Sequence, residues 1–160
     1  MWLDKKTIDE LCHTHDREDS YYINCGGHAL HVDSWYQIGP DVHWFNNGLS
    51  RCSKNCGWRN FERTCVKHIL RDCPDLKLVD EKLVDDVAID LDKYEIIAFR
   101  IDRHYFGGYH FMRCERNGDW TEKCGHYSCI SRHNYENIHE AWGKDFDGRE
   151  YFFIRERMGS

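Results

Sequence analysis

Residues 108–125, GYHFMRCERNGDWTEKCG, contain the pattern that decides the fold. Residues 109–115 are rich in aromatic and apolar side chains, which favour a β-strand. Asn117-Gly118 then interrupts the run, and this dipeptide is the strongest short hairpin signal in the chain. The stretch therefore predicts two antiparallel strands joined by a tight turn, the second over residues 119–125.

Two further runs have strand composition. Residues 94–101 (YEIIAFRI) precede the hairpin and are separated from it by Gly107-Gly108, and residues 150–156 (EYFFIRE) follow it. The runs over residues 94–101, 109–115 and 119–125 follow one another without helical spacing between them. Together with residues 150–156 they predict an antiparallel sheet in the second half of the chain.

The first half has apolar residues at helical spacing. We predict helices over residues 7–12, 25–35 and 58–70, with Asn24 as the N-cap of the second, and a loop over residues 41–53. The helical part covers about residues 1–75 and the sheet part about residues 76–157. The sequence thus predicts a single α+β domain in which helices pack on a small antiparallel sheet.

Composition narrows the class of partner. The 160 residues are 41% hydrophobic, and 22 basic against 28 acidic side chains give a net charge of −6, which argues against a nucleic-acid partner. No segment has the length and hydropathy of a membrane span, and the first residues (MWLDKKTIDEL) contain acids where a secretory signal needs an apolar run. We therefore expect a cytoplasmic protein without membrane partners.

The segment NCGGHAL, residues 24–30, places a thiol at the start of a predicted helix. Unpaired N–H groups and the helix dipole at such a position favour thiolate over thiol. A histidine on a neighbouring strand commonly serves as the base for such a nucleophile. Among the eleven histidines, His110 is best placed because it begins the first strand of the hairpin. The pattern thus predicts a Cys25–His110 dyad.

This arrangement resembles the papain-like peptidases and amidases, and in particular the NlpC/P60 type. In that group the nucleophile lies in an Asp-Cys-Ser-Gly-like segment, which NCGGHAL approximates, and the base begins a strand that continues into a Gly-containing hairpin. The resemblance implies a papain-like fold, with Cys25 as nucleophile and His110 as base. It also implies a third polar residue about a dozen positions after the base, which is Glu122 here, and a protein or peptide substrate.

The role of Glu122 depends on the hairpin register. With a plain two-residue turn at Asn117-Gly118, His110 would share its face with Thr121 and Lys123, and Glu122 would point away. A type I turn followed by a left-handed bulge at Gly118 instead makes His110 and Glu122 diagonal neighbours, roughly 7–8 Å apart at the backbone. The alternative orienting residues are Asp119, Asn134 and Asn137.

An oxyanion hole requires the Cys25 N–H and a second donor. The NlpC/P60 group takes that donor from upstream of the nucleophile, which leaves four candidates here: His13, His15, Tyr21 and Tyr22. We predict Tyr22, together with Gly26 and Gly27, as the residues on the substrate and oxyanion side. The absence of side chains at these two glycines would let a substrate carbonyl approach the thiol.

Zinc is the competing chemical interpretation of the nine cysteines. Cys52 and Cys56 have the close spacing of structural zinc ligands, and Cys65 with His68 could complete the site on a helix. If these thiols bind no zinc, they are small core residues, or disulfides if the protein is exported. The hydrolase reaction itself requires no cofactor.

Two classes of function follow from these residues. The first is a thiol hydrolase that acts on an amide, peptide or isopeptide bond through a thioester, or a deamidase or transamidase that uses the same dyad. The alternative is a non-catalytic protein-binding module, with or without structural zinc. By analogy of fold alone, either would suit a viral or bacterial effector acting inside a host cell.

Overall fold

Helices come first in the described part of the chain and an antiparallel sheet follows. The computed structural model describes residues 24–31, 36, 38, 48–102, 108–123, 130–133, 135–140, 142 and 146–157. At residues 48–58, 60 and 135–137 it describes the backbone alone. In chain order the elements are α1 (Cys25–Ala29), α2 (Gly48–Asp72), β1 (Lys77–Val79), α3 (Glu81–Asp85), β2 (Tyr94–Ile101), β3 (Tyr109–Cys114), β4 (Trp120–Lys123), β5 (Ile130–His133), a 3-10 helix (Tyr135–Glu140) and β6 (Tyr151–Glu156).

The six strands form one sheet in the order β1-β6-β2-β3-β4-β5, and each neighbouring pair is antiparallel. The predicted α+β class with an antiparallel sheet is therefore confirmed. Four of the six strands lie where the sequence predicts them, within a few residues at their ends. The papain-like assignment within this class stays a prediction.

The two faces of the sheet bury separate apolar clusters. The first cluster packs side chains of β2, β3 and β6 against α1 and α2, and includes Ile97, Phe99, Phe111, Phe153, Ala29 and Ile69. The second cluster lies on the opposite face and includes Ile96, Ala98, Met112, Trp120, Phe152, Val84, Ile138 and Trp142. The strands β2 and β3 are therefore covered on both sides. Each large apolar side chain buried in this way contributes about 1.5–3 kcal/mol to the stability of the fold.

The bounds of two helices differ from the prediction. The predicted helix over residues 25–35 ends at Ala29, because Leu30 is the C-cap and His31 has a left-handed φ of 55°. The predicted helix over residues 58–70 is part of the longer α2, so the loop prediction is wrong over residues 48–53. Residues 7–12, 32–35 and 41–47 lie outside the described residues.

The short helix α1 is stabilised at both ends by side chains. Five residues with two glycines form no stable helix alone. The Asn24 side chain accepts a hydrogen bond from Gly27 N at its start. At its end, the guanidinium groups of Arg113 and Arg155 donate to the carbonyl oxygens of His28 and Leu30. Cations at a helix C-terminus are favourable, and these two hold α1 against the sheet.

In the part of the chain that the structure describes, no helix combines the length and hydropathy needed to cross a bilayer.

Candidate active site

The Cys25 thiol lies at the first residue of α1, in a position fixed by Asn24. The Oδ1 atom of Asn24 accepts from Gly27 N at 2.9 Å and from Tyr36 N at 3.0 Å, and its Nδ2 donates to Tyr36 O at 2.6 Å. Asn24 and Cys25 are both buried, the latter at 6% exposure. The Cys25 sulfur is 4.0 Å from the carbonyl oxygen of Tyr109 at the start of β3. The cap therefore brings the thiol to the beginning of the histidine strand.

The two glycines after the thiol have local structural roles. A Cβ on Gly26 would lie 2.6 Å from Cδ1 of Tyr36, so the Tyr36 ring occupies the space that a side chain would need. This contact is sufficient reason for a glycine at position 26, and the role of Gly26 in admitting substrate stays a prediction. The Gly27 N–H donates to Asn24, which makes it part of the helix cap and leaves it unsuited to bind an oxyanion.

His110 is the second residue of β3 and is 5% exposed. Its ring lies against Phe146, with centroids 5.2 Å apart, and meets the Trp142 ring edge-on at 6.0 Å. Its Nε2 forms a hydrogen bond with Glu122 Oε2, and the neighbouring Cys25 thiol is one of the groups that raise the His110 pKa. The structure therefore brings together the nucleophile and base that the sequence predicts.

Thiol and imidazole approach each other from opposite faces of the sheet. Cys25 belongs to the cluster that contains Phe111, whereas His110 contacts Trp142 of the cluster on the other face. In the antiparallel pair of β3 and β4, Arg113 is opposite Thr121 and Cys114 is opposite Trp120. His110 lies beyond these pairs, so the dyad forms where β4 has separated from β3.

Glu122 takes the third position. Its Oε2 lies 2.9 Å from His110 Nε2, and the residue is 8% exposed. The hairpin has the bulged register that this contact requires, because Arg113 pairs with Thr121 and Gly118 has a φ of +91°. Gly118 N donates to Glu115 O, and Glu115 N donates to the carbonyl oxygen of Asp119, the residue after the bulge. The predicted bulge and the predicted neighbourhood of His110 and Glu122 are both confirmed.

Of the other candidates for the third position, the structure describes the side chain of Asp119, which contacts the hairpin and not His110. Asp119 is at the hairpin, where its backbone N–H and carboxylate contact Asn117 and its carboxylate lies 3.7 Å from Arg132. Asn134 and the side chain of Asn137 lie outside the described residues, as do the predicted oxyanion donors His13, His15, Tyr21 and Tyr22.

The charges of the site reinforce one another. Burial alone would lower the pKa of His110, but the hydrogen bonds with Cys25 and Glu122 outweigh burial and raise that pKa to about 9. Burial likewise acts to raise the pKa of Glu122, and the contacts with His110 and His133 outweigh it and hold that pKa below its usual range. At neutral pH the imidazole therefore carries a proton and the carboxylate is ionised.

A polar layer holds the wall of the imidazole pocket. Glu150 accepts from Trp142 Nε1 at 2.8 Å and from Arg100 Nη2 at 2.7 Å, and Arg100 also stacks on the Trp142 ring at 5.2 Å. His139 contacts the same carboxylate at 2.7 Å. The sequence contains no spacing that indicates these residues, because they come from separate segments that meet only in the folded chain.

A second polar layer lies beneath α1. The buried His28 Nε2 is 2.9 Å from Thr121 Oγ1, and that hydroxyl donates to Glu115 Oε1 at 2.7 Å. Arg113 Nε donates to the same carboxylate at 2.9 Å. Burial, followed by the positive charge of Arg113, lowers the pKa of His28 well below its ordinary value. His28 is thus a neutral link between α1 and β4.

The proposed zinc set is not brought together. Cys52, Cys56, Cys65 and His68 all lie on the continuous helix α2. Cys52 and Cys65 are thirteen positions apart along this helix, which separates their backbones by about 20 Å. This distance is too long for both to bind one ion. Cys65 is buried in the apolar cluster, and His68 Nδ1 contacts Arg71 at 2.8 Å. These positions correct the prediction of a single site made from all four residues.

Within the described residues, the side chains of Glu81, His139 and Glu150 place potential metal-ligand atoms within 4.8 Å of one another. The Oε1 atom of Glu150 already accepts from Arg100, and both ring nitrogens of His139 contact carboxylates at 2.7 Å. The described contacts are those of an ion-pair cluster that supports Trp142.

Comparisons with protein-family models, curated proteins and solved structures find no match for this chain.

Proposed function

We propose that this protein is a papain-like thiol hydrolase that cleaves an amide, peptide or isopeptide bond with Cys25 as nucleophile. The observation that carries the proposal is that the Cys25 thiol lies at the start of the His110 strand, where His110 is hydrogen-bonded to Glu122. A nucleophile beside a base that a third group orients is the signature of covalent catalysis. The proposal includes the papain-like fold, a protein or peptide substrate, and no required cofactor.

In the first step, the thiol proton resides on His110. Glu122 occupies Nε2 of the ring, so Nδ1 is the nitrogen that exchanges a proton with Cys25. The thiolate sulfur attacks the carbonyl carbon, a C–S bond forms, and the carbonyl π electrons move onto oxygen. As the tetrahedral intermediate collapses, the C–N bond breaks and Nδ1–H protonates the leaving nitrogen. A thioester remains on Cys25.

In the second step, His110 acts as a base toward the acceptor. It takes a proton from water as the water oxygen attacks the thioester carbon, and it returns that proton to sulfur when the C–S bond breaks. An amine in place of water gives transamidation, and a glutamine side chain as the first substrate gives deamidation. The dyad is chemically competent for each of these reactions, and the identity of the acceptor separates them.

Glu122 has an orienting role in this scheme. An ionised carboxylate on Nε2 fixes the ring orientation and stabilises the imidazolium that forms in each half-reaction. The Cys25 backbone N–H at the start of α1 would provide one donor of the oxyanion hole, and Tyr22 remains the proposed second donor. Because Gly27 N–H is used by the helix cap, it is not assigned to the hole.

The experiment that tests the proposal is site-resolved alkylation. The folded protein is treated with iodoacetamide between pH 6 and 9, and the labelled peptides are quantified by mass spectrometry. We expect Cys25 to react at pH 7 at least about tenfold faster than the half-buried Cys73, whose pKa burial raises. His110→Ala should slow Cys25 labelling by about 10- to 100-fold and leave Cys73 unchanged.

Slow labelling of Cys25 that is equal in the wild type and in His110→Ala would reject the hydrolase. It would favour the alternative, a non-catalytic binding module on the same fold. Hydrolysis itself is tested by incubating the protein with a peptide library and looking for Cys25-linked acyl adducts, with Cys25→Ala as the matched control.

A further inference from the structure

Glu122 contacts a second histidine besides His110. His133 Nε2 lies 3.3 Å from Glu122 Oε1, whereas His110 Nε2 lies 2.9 Å from Glu122 Oε2. The carboxylate is therefore shared between an imidazole in the core and one near the surface, because the His133 side chain is 30% exposed and that of His110 only 7%.

The sheet register places His133 at this carboxylate. β5 pairs with β4 so that Glu122 is opposite Ser131 and Trp120 is opposite His133. His133 and Glu122 are thus diagonal neighbours on one face, the same relationship that brings Glu122 to His110 across β3 and β4. Three adjacent strands provide the three groups, and the backbone fixes their order.

The contact with His133 is chiefly electrostatic. The 3.3 Å separation lacks the alignment of a full hydrogen bond, since His133 Nε2 has no hydrogen-bond partner of good geometry. A dipole or charge facing Oε1 still favours the ionised carboxylate, and the His133 contact contributes to the low pKa of Glu122. It also limits rotation of the carboxylate away from His110.

We propose that His133 is a positioning residue that holds Glu122 in the orientation needed by His110. The inference rests on the proposed function, since it assigns a support to the same catalytic group. Among the described residues, the charged and titratable groups that contact this carboxylate are His110 on β3, with Cys25 beyond it, and His133 on β5. Arg132, the preceding residue on β5, points to the other face toward Asp119.

The role is tested with His133→Leu, which removes the polar contact, and His133→Gln, which retains an N–H donor. Arg132→Gln on the same strand is the matched control. In His133→Leu we expect Cys25 alkylation at pH 7 to slow by about tenfold, as removal of an outer-sphere partner typically does, and the pKa of His110 measured by NMR to fall. His133→Gln should restore most of both, and Arg132→Gln should change neither.

Urea unfolding of each variant accompanies the rates, and alkylation is compared under conditions where every variant is folded. If His110→Ala suppresses Cys25 labelling but His133→Leu leaves both the rate and the His110 pKa at wild-type values, the role of His133 is rejected and the dyad stands. If His110→Ala has no effect, the hydrolase itself is rejected, and the inference falls with it. Equal losses in His133→Leu and His133→Gln would also contradict the positioning role.

Discussion

His110 and Glu122 form a buried ion pair at 2.9 Å whose existence depends on one residue at the hairpin turn. With the left-handed Gly118 in place, β3 and β4 pair so that both side chains lie on the same face. A one-residue change of register would turn the Glu122 carboxylate to the opposite face. The His110–Glu122 contact is thus set by a bulge eight residues after His110 and four residues before Glu122.

Replacing Gly118 with alanine should reduce the free energy of unfolding by about 1–2 kcal/mol. No atom lies within 4 Å of the Cβ that would be added, so the cost comes from the φ of +91° and not from a clash. Gly118→Asn should cost less, because asparagine tolerates left-handed backbone better than alanine. Urea unfolding of the two variants measures the difference, and an alanine variant as stable as the wild type would contradict the bulge.

Gly26→Ala tests the contact with Tyr36 that requires a glycine in α1. Alanine is better than glycine in a helix by about 1 kcal/mol, but its Cβ would press on the Tyr36 ring at 2.6 Å. We expect a net loss of about 1–3 kcal/mol in unfolding free energy. In a Tyr36→Leu background the loss should shrink or reverse. A double-mutant cycle with no coupling between the two positions would show that Tyr36 does not occupy that space in solution.

His28 should make the protein sensitive to mild acid. Its pKa is lowered in the folded state by burial and then by Arg113, so the stability that it contributes is present above the unfolded-state value of about 6.5 and is lost as the pH falls below it. The loss should approach 1.4 kcal/mol per pH unit. Denaturant unfolding at several pH values between 7 and 5 should give a shallower slope for His28→Gln, and parallel slopes would exclude this role.

Glu122→Gln should destabilise the fold by about 1–3 kcal/mol near pH 6, since it removes the anion from a buried pair. The difference from wild type should shrink at high pH. Because the pKa of His110 is raised, its contribution is complete below about 6.5 and is lost as the pH rises through about 9. The difference should also shrink in acid as the pH falls through the lowered pKa of Glu122. A pH-independent difference in unfolding free energy would mean that the pair is not ionic.

Much of the sheet could be predicted from composition alone. β2 contains the apolar residues 96–99, which are buried on both faces, and the Asn117-Gly118 turn fixes how β3 and β4 meet. The thiol and imidazole could be paired from their positions at a helix start and a strand start. Local sequence is sufficient to predict the hairpin, because the turn at Gly118 and the strand residues on either side of it favour the same register.

The remaining elements depend on contacts that local sequence does not encode. β1 and β5 have three and four residues at the two edges of the sheet, and their partly polar side chains give no strand pattern. The helix α1 ends early because Arg113 and Arg155, from distant strands, bind its last carbonyls. Helical spacing continues in the sequence after the helix has ended, so only the tertiary contacts reveal its true length.

The pKa of His110 is the measurement that tests the central claim most directly. Long-range ¹H–¹⁵N NMR correlations follow both ring nitrogens across a pH titration of the wild type, Cys25→Ala and Glu122→Gln. We expect the wild-type His110 to titrate near pH 9, and each substitution to lower that pKa, because each removes a hydrogen bond that stabilises the imidazolium. A wild-type value near 6.5 that is the same in Cys25→Ala would show that the thiol and the imidazole do not form a dyad.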